Sequence, residues 1–160
     1  MTNNRSPLEI KPDQEFQDAM RQEIALHWAI VWKAMPDVIE GNDIEAVHKV
    51  RVASRRLRAA MDVATDCFPR KWYQPLHKTA KGITRALGEV RDRDVILQAL
   101  SRQRETSTGD ERKAIDFLIE HIEHDRKRAR KAMLRFLRQL DKTEIRKQTK
   151  HRFPVMEVQP

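Results

Sequence analysis

The sequence predicts an all-α protein. Apolar residues recur every three or four positions, only four glycines and seven prolines interrupt 160 residues, and 35% of the chain is charged. A chain of this length buries one continuous core, so a single domain is expected. Its elements read as one antiparallel four-helix bundle over residues 13–141, followed by a basic C-terminal tail, 142–160.

The first helix is expected to begin at Asp13, after Pro12. It presents Phe16, Met20, Ile24, Trp28, Val31 and Met35 as one stripe until Pro36, which lacks an amide donor, stops it. Gly41-Asn42-Asp43 is a turn signal in which Asn42 caps the second helix and Glu45 completes a capping box. That helix runs from about Asp43 to Cys67 and ends at Phe68-Pro69. Residues 69–74 form a link, and Pro75 opens a third helix with Leu76, Ala80, Ile83, Leu87, Val90 and Leu97 as its apolar row. Gly88 beside that row costs about 1 kcal/mol against Ala in a helix interior and points to a bend or a close approach. After the polar run Arg104-Glu105-Thr106-Ser107, Thr108 with Glu111 forms a second capping box. The fourth helix spans 110–141 and buries Ile115, Leu118, Ile122, Ala129, Met133, Phe136 and Leu140. The remainder, polar apart from Phe153-Pro154-Val155-Met156, reads as a frayed turn and a loose tail.

Thirty-two Lys and Arg against twenty-four Asp and Glu leave a charge of +8, unevenly spread. Residues 1–47 are net −5, residues 48–100 net +7 and residues 101–160 net +6. The basic two-thirds invite a polyanion: a nucleic acid, an anionic membrane or a phosphate polymer. Cys67 is the single cysteine, which excludes an internal disulfide framework and a cysteine-rich zinc site and suits a reducing compartment. The first residues lack an apolar signal core, and no run of about 18 apolar residues occurs, so a cytoplasmic protein is expected, with no membrane partner.

On the second helix, His48, Arg51, Arg55 and Arg58 fall within one stripe about 80° wide, opposite Val50, Ala53, Leu57, Met61 and Ala64. From Lys49 to Met61 there are five bases and no acid, so pairing at i,i+4 within that stretch cannot neutralise them. Similar spacing recurs as Lys78, Lys81 and Arg85 on the third helix, and as His121, His124, Arg128, Lys131 and Arg135 on the fourth. Each row sets a cation about every 5 Å along a rigid axis, which suits a linear polyanion, with Arg able to bind phosphate as a fork. A charged row opposite an apolar stripe is also what any soluble helix carries. The unrelieved single sign on the second helix argues for an external counter-charge. Rows opposite their core stripes cannot all converge in one bundle, so the second and third helices are the expected pair.

The segment HKVRVASRRLRAAMDV, residues 48–63, carries His-x-x-Arg-Val-x-x-Arg-Arg-x-Arg at His48, Arg51, Val52, Arg55, Arg56 and Arg58. A second run, Leu-Gly-x-Val-Arg-Asp-x-Asp-Val, stands at Leu87, Gly88, Val90, Arg91, Asp92, Asp94 and Val95. In both the chain resembles the CHAD family, the conserved histidine α-helical domain. The resemblance implies a helical fold that binds inorganic polyphosphate through a basic surface or central pore, sometimes as a partner of triphosphate-processing domains. Arg91 is then expected to join the rows, with no cofactor needed and polyphosphate granules as the expected setting. Family domains usually hold two pseudo-symmetric bundles and this chain resembles the first, so a homodimer would restore the pair. Asp92, in register with Lys78, Lys81 and Arg85, is expected to orient a neighbouring base.

Nucleic acid is the nearest rival, since clustered cations gain from counterion release on any phosphate chain; Trp72 and Tyr73, placed in a link, are then the candidates for stacking on bases. His121 and His124, with His48 and His77, raise a metal site that no recognised motif supports. A catalytic reading lacks a phosphate-cradling Gly-rich loop, a nucleophile–base pair and acids to hold magnesium beside the bases, so no enzyme is expected. A scaffold for acidic proteins would use the same cations.

Overall fold

The computed structural model describes residues 15–41 and 44–155, and among these every regular element is helical. α1 spans Phe16–Glu40, α2 Ile44–Val63, α3 Arg70–Thr106, α4 Gly109–Asp141 and α5 Ile145–Arg152, with a 3-10 turn at Thr65–Cys67. α1 packs on α2, α2 on α3 and α3 on α4, while α1 also touches α4 and α5. None of the described helices is long and apolar enough to cross a membrane.

α1 does not stop at Pro36. Its buried stripe Ile24, Trp28, Val31, Met35 continues to Val38, which is fully buried, and the Gly41 N–H closes the end on the Asp37 carbonyl at 3.1 Å. A proline so near the C-terminus removes one amide bond, and burial of Val38 outweighs that loss. Phe16, expected in the stripe, is 58% exposed. The expected start at Asp13 and the Asn42 cap lie outside the described residues.

α2 ends at Val63, where Thr65 Oγ1 donates to the Met61 and Asp62 carbonyls and the chain tightens into the 3-10 turn. α3 then begins at Arg70, five residues before Pro75, so the expected link is already helix. The amide that Pro75 lacks would have met the Lys71 carbonyl, and Lys71 is exposed, leaving that carbonyl to water. What anchors this early turn is aromatic: Tyr73 is buried, its hydroxyl donating to the Met61 carbonyl at 2.7 Å, among Phe68, Trp72 and Phe153.

Ser107 and Thr108 alone link α3 to α4. Thr108 makes no side-chain cap bond, so the expected capping box is absent. α4 buries Ile115, Met133, Leu137 and Leu140; Leu118 is exposed instead, and Ile122, Ala129 and Phe136 are half-buried. The close approach suspected at Gly88 occurs at Gly82, where an added Cβ would stand 2.9 Å from Phe136 Cζ, while one at Gly88 would meet nothing within 4 Å.

The expected tail is structured through α5. Trp32 Nε1 donates to Thr149 Oγ1 at 2.9 Å, Arg21 Nη1 donates to the Arg152 carbonyl at 2.8 Å, and Phe153 is buried among the aromatic rings. The core cluster draws on α3 only as far as Val90 and on α4 only from Ala129 onward. α3, 37 residues and about 55 Å long, therefore runs with α4 well past the shared core.

Candidate functional site

Two contacts fix how α2 and α3 lie against each other. Thr84 Oγ1 donates to the Ser54 carbonyl at 3.1 Å, and His77 Nε2 meets Asp62 Oδ1 at 2.7 Å. In this antiparallel register Arg58 is level with Lys81, Arg51 with Gly88, and His48 with Arg91. Between the helices runs a groove of about 320 Å³ lined by Arg51, Arg55, Arg58, Asp62, Thr84 and Gly88. From Arg51 to Asp62 the ladder extends about 16 Å along the helix axis.

Gly88 has a role here that the bend does not supply. With no side chain and open space where a Cβ would be, it leaves the floor clear beneath Arg51 and Arg55. On α3, His77, Lys81, Thr84, Gly88 and Arg91 share one stripe by helical period, which brings Arg91 to the far end of the groove.

The charge balance along the ladder is uneven. Asp62 takes His77 at 2.7 Å, Arg58 at 3.7 Å and Lys81 at 3.8 Å, so one carboxylate serves three bases at one end. Arg51, Arg55 and Arg91 pair with no carboxylate among the described residues. Half-exposed pairs such as Arg58 with Asp62 are worth a fraction of a kcal/mol to about 1 kcal/mol, and leave most of the positive potential intact.

The two motifs that suggested a family thus meet at one groove, Arg51, Arg55 and Arg58 from the first and Gly88 from the second, with Arg91 about one turn farther along the same stripe of α3. The CHAD domain model matches residues 22–157. The chain belongs to the CHAD domain family. No curated protein and no solved structure matches it. The family match runs past 141 and takes in α5, in keeping with the packing of that helix on α1.

Other bases of this CHAD domain point elsewhere. Arg85 lines a separate groove between α3 and α4, and Lys78, seven residues earlier, shares its stripe. Arg128 lines that second groove as well and is hydrogen-bonded to Asp125. That bond, with the Arg128, His121 and Arg93 charges behind it, holds the Asp125 carboxyl below the usual carboxylate range against its desolvation. Lys131 and Arg135 are exposed on α4, which does not pack along α2. Asp92 is exposed and holds no base among the described residues; Asp94 instead accepts from Arg126 across the α3–α4 pair.

His48 and Arg56 line a further groove of about 570 Å³ between α1 and α2, beside Lys33, Lys49, Asp37 and Glu45. At its wall stands His27, 1% exposed, with Nε2 on Glu23 Oε1 at 2.7 Å and Nδ1 buried without a hydrogen-bond partner. Sequence reading missed His27 because it lies on an acidic, apolar helix; the available signal was Glu23 one turn before it. His121 and His124 line an open dish with Phe117, Glu120 and Glu123, while His77 is tied to Asp62 on the α2–α3 side. Among the described residues no group of three or more His, Cys, Asp or Glu is arranged to hold a metal.

Proposed function

We propose that this CHAD domain binds inorganic polyphosphate without transforming it, along the groove between α2 and α3. On this reading α1 to α4 act as one CHAD-type bundle, with Arg51 and Arg55 as the principal grips, Arg58, Lys81 and Arg91 extending the track, and polyphosphate granules of the cytoplasm as the setting. The observation that carries it is the pair Arg51 and Arg55: level with an open glycine floor, they have no carboxylate partner among the described residues.

The mechanism is electrostatic. Guanidinium groups one turn apart meet successive segments of a phosphate chain, each charge-assisted hydrogen bond is worth about 1.5–3 kcal/mol, and released counterions add to affinity at low salt. The groove's lone carboxylate, Asp62, is engaged by three bases, so the reading assigns no acid–base chemistry. Stacking on nucleobases finds less support, because Trp72 and Tyr73 belong to the aromatic cluster around Phe153.

Polyphosphate and single-stranded RNA of equal charge, titrated into the protein at one physiological salt concentration, test the reading. Tighter binding of polyphosphate is expected, since no aromatic side chain on which a base could stack lines the groove. Equal or tighter binding of RNA would replace it with general nucleic-acid binding.

A further inference from the structure

We propose that the open face formed jointly by α3 and α4 is the docking surface for a second copy of this chain. On α3, Gly82, Ala86, Glu89, Arg93, Ile96 and Leu100 fall within a stripe about 80° wide, at about 100° per residue. On α4, Leu118, Ile122, Asp125, Ala129, Ala132 and Phe136 do the same. The α3 stripe is separate from the one that feeds the core, Leu76, Ala80, Ile83, Leu87 and Val90.

The stripes meet where Gly82 lies against Phe136, and between them runs a groove of about 670 Å³ lined only by α3 and α4 residues, with Ala86, Ala129 and Ala132 in its wall. Small side chains in a groove between two helices admit ridges from another helix pair. Farther along, Ile96 and Leu118 are 44% and 45% exposed.

Charge selects the occupant. Residues 91–128 carry nine bases and nine acids in a chain of net +8, so beyond Arg91, which ends the α2–α3 track, this hairpin has no excess of positive charge. Within the face, Glu89 pairs with Arg93 at 2.7 Å and Asp125 with Arg128. An acidic protein would meet those carboxylates, a basic one those guanidiniums. A face with interleaved signs is complementary to itself, as a two-fold interface requires. The stripes run about 28 Å, and two helices are about 20 Å wide, giving roughly 550 Å² per copy and about 1,100 Å² in total, enough for a specific interface.

Light scattering on the full chain, from nanomolar to millimolar protein, reads the outcome. The expected mass is that of a dimer, Ile96→Glu with Ala132→Glu is expected to halve it with the helical circular dichroism intact, and Phe117→Glu, off both stripes at 70% exposure, is expected to leave the dimer unchanged. A wild-type monomer at every concentration would overturn the proposal. So would a dimer that survives the double substitution, or a monomer whose polyphosphate affinity that substitution lowers, since the face would then be a ligand site. None of these substitutions touches the α2–α3 groove, so loss of the dimer and loss of polyphosphate binding are read separately.

Discussion

Arg58 has Asp62 within 3.7 Å, whereas Arg51 and Arg55, on the same stripe, have no carboxylate among the described residues. The i,i+4 spacing of Arg58 and Asp62 made that pair legible, but not that Asp62 is also shared with His77 and Lys81, which happens only once α3 folds against α2. Gly88 was legible as a cost and not as a floor: its purpose depends on arginines over thirty residues away. Gly88→Ala is expected to raise unfolding free energy in urea by about 0.5–1 kcal/mol, because a helix-interior glycine is replaced without any contact within 4 Å. No gain would mean that the glycine relieves backbone strain. Tyr73, the sole tyrosine, gives a second reading. Burial first, then Cys67 and Asp62, push its phenol well above the ordinary value. A raised acid favours the neutral folded form, a contribution complete below about pH 10, where the unfolded phenol ionises, and lost as pH climbs through the folded value. Phenolate absorbance is therefore expected to appear only with loss of helical circular dichroism; ionisation near pH 10 in a folded protein would place the hydroxyl in solvent.

The helices themselves were legible from apolar spacing, and their ends were not. Two of the misplaced ends involve proline: Pro36 and Pro75 read as boundaries, yet each lies inside a helix whose next turn is held by buried side chains, Val38 in one case and Leu76 in the other; α2 instead stops at Val63, short of the expected Cys67. α5 was missed because its own residues are almost all polar. Its hold comes from across the fold, through Trp32 with Thr149 and through Phe153 in the aromatic cluster. Phe153→Ala is expected to cost about 3–5 kcal/mol and to lower the melting temperature clearly, as for other large buried rings. A melting temperature within a degree or so of the original would return α5 to the status of a tail.

Across the whole molecule, charge is divided by place. The α2–α3 groove gathers cations, the hairpin past the core is neutral, and the helix 4 row stands apart because α4 does not pack along α2. That division separates two explanations of polyphosphate affinity, a specific groove and a net charge of +8. The deciding measurement compares polyphosphate affinity of Arg51→Glu/Arg55→Glu with that of Arg112→Glu/Lys113→Glu, which removes the same charge from exposed positions near the hairpin tip. Loss of two charge-assisted contacts predicts a fall of more than about a hundredfold for the first and a small change for the second, with both proteins fully helical. Equal losses in the two would contradict the groove and leave only the overall charge.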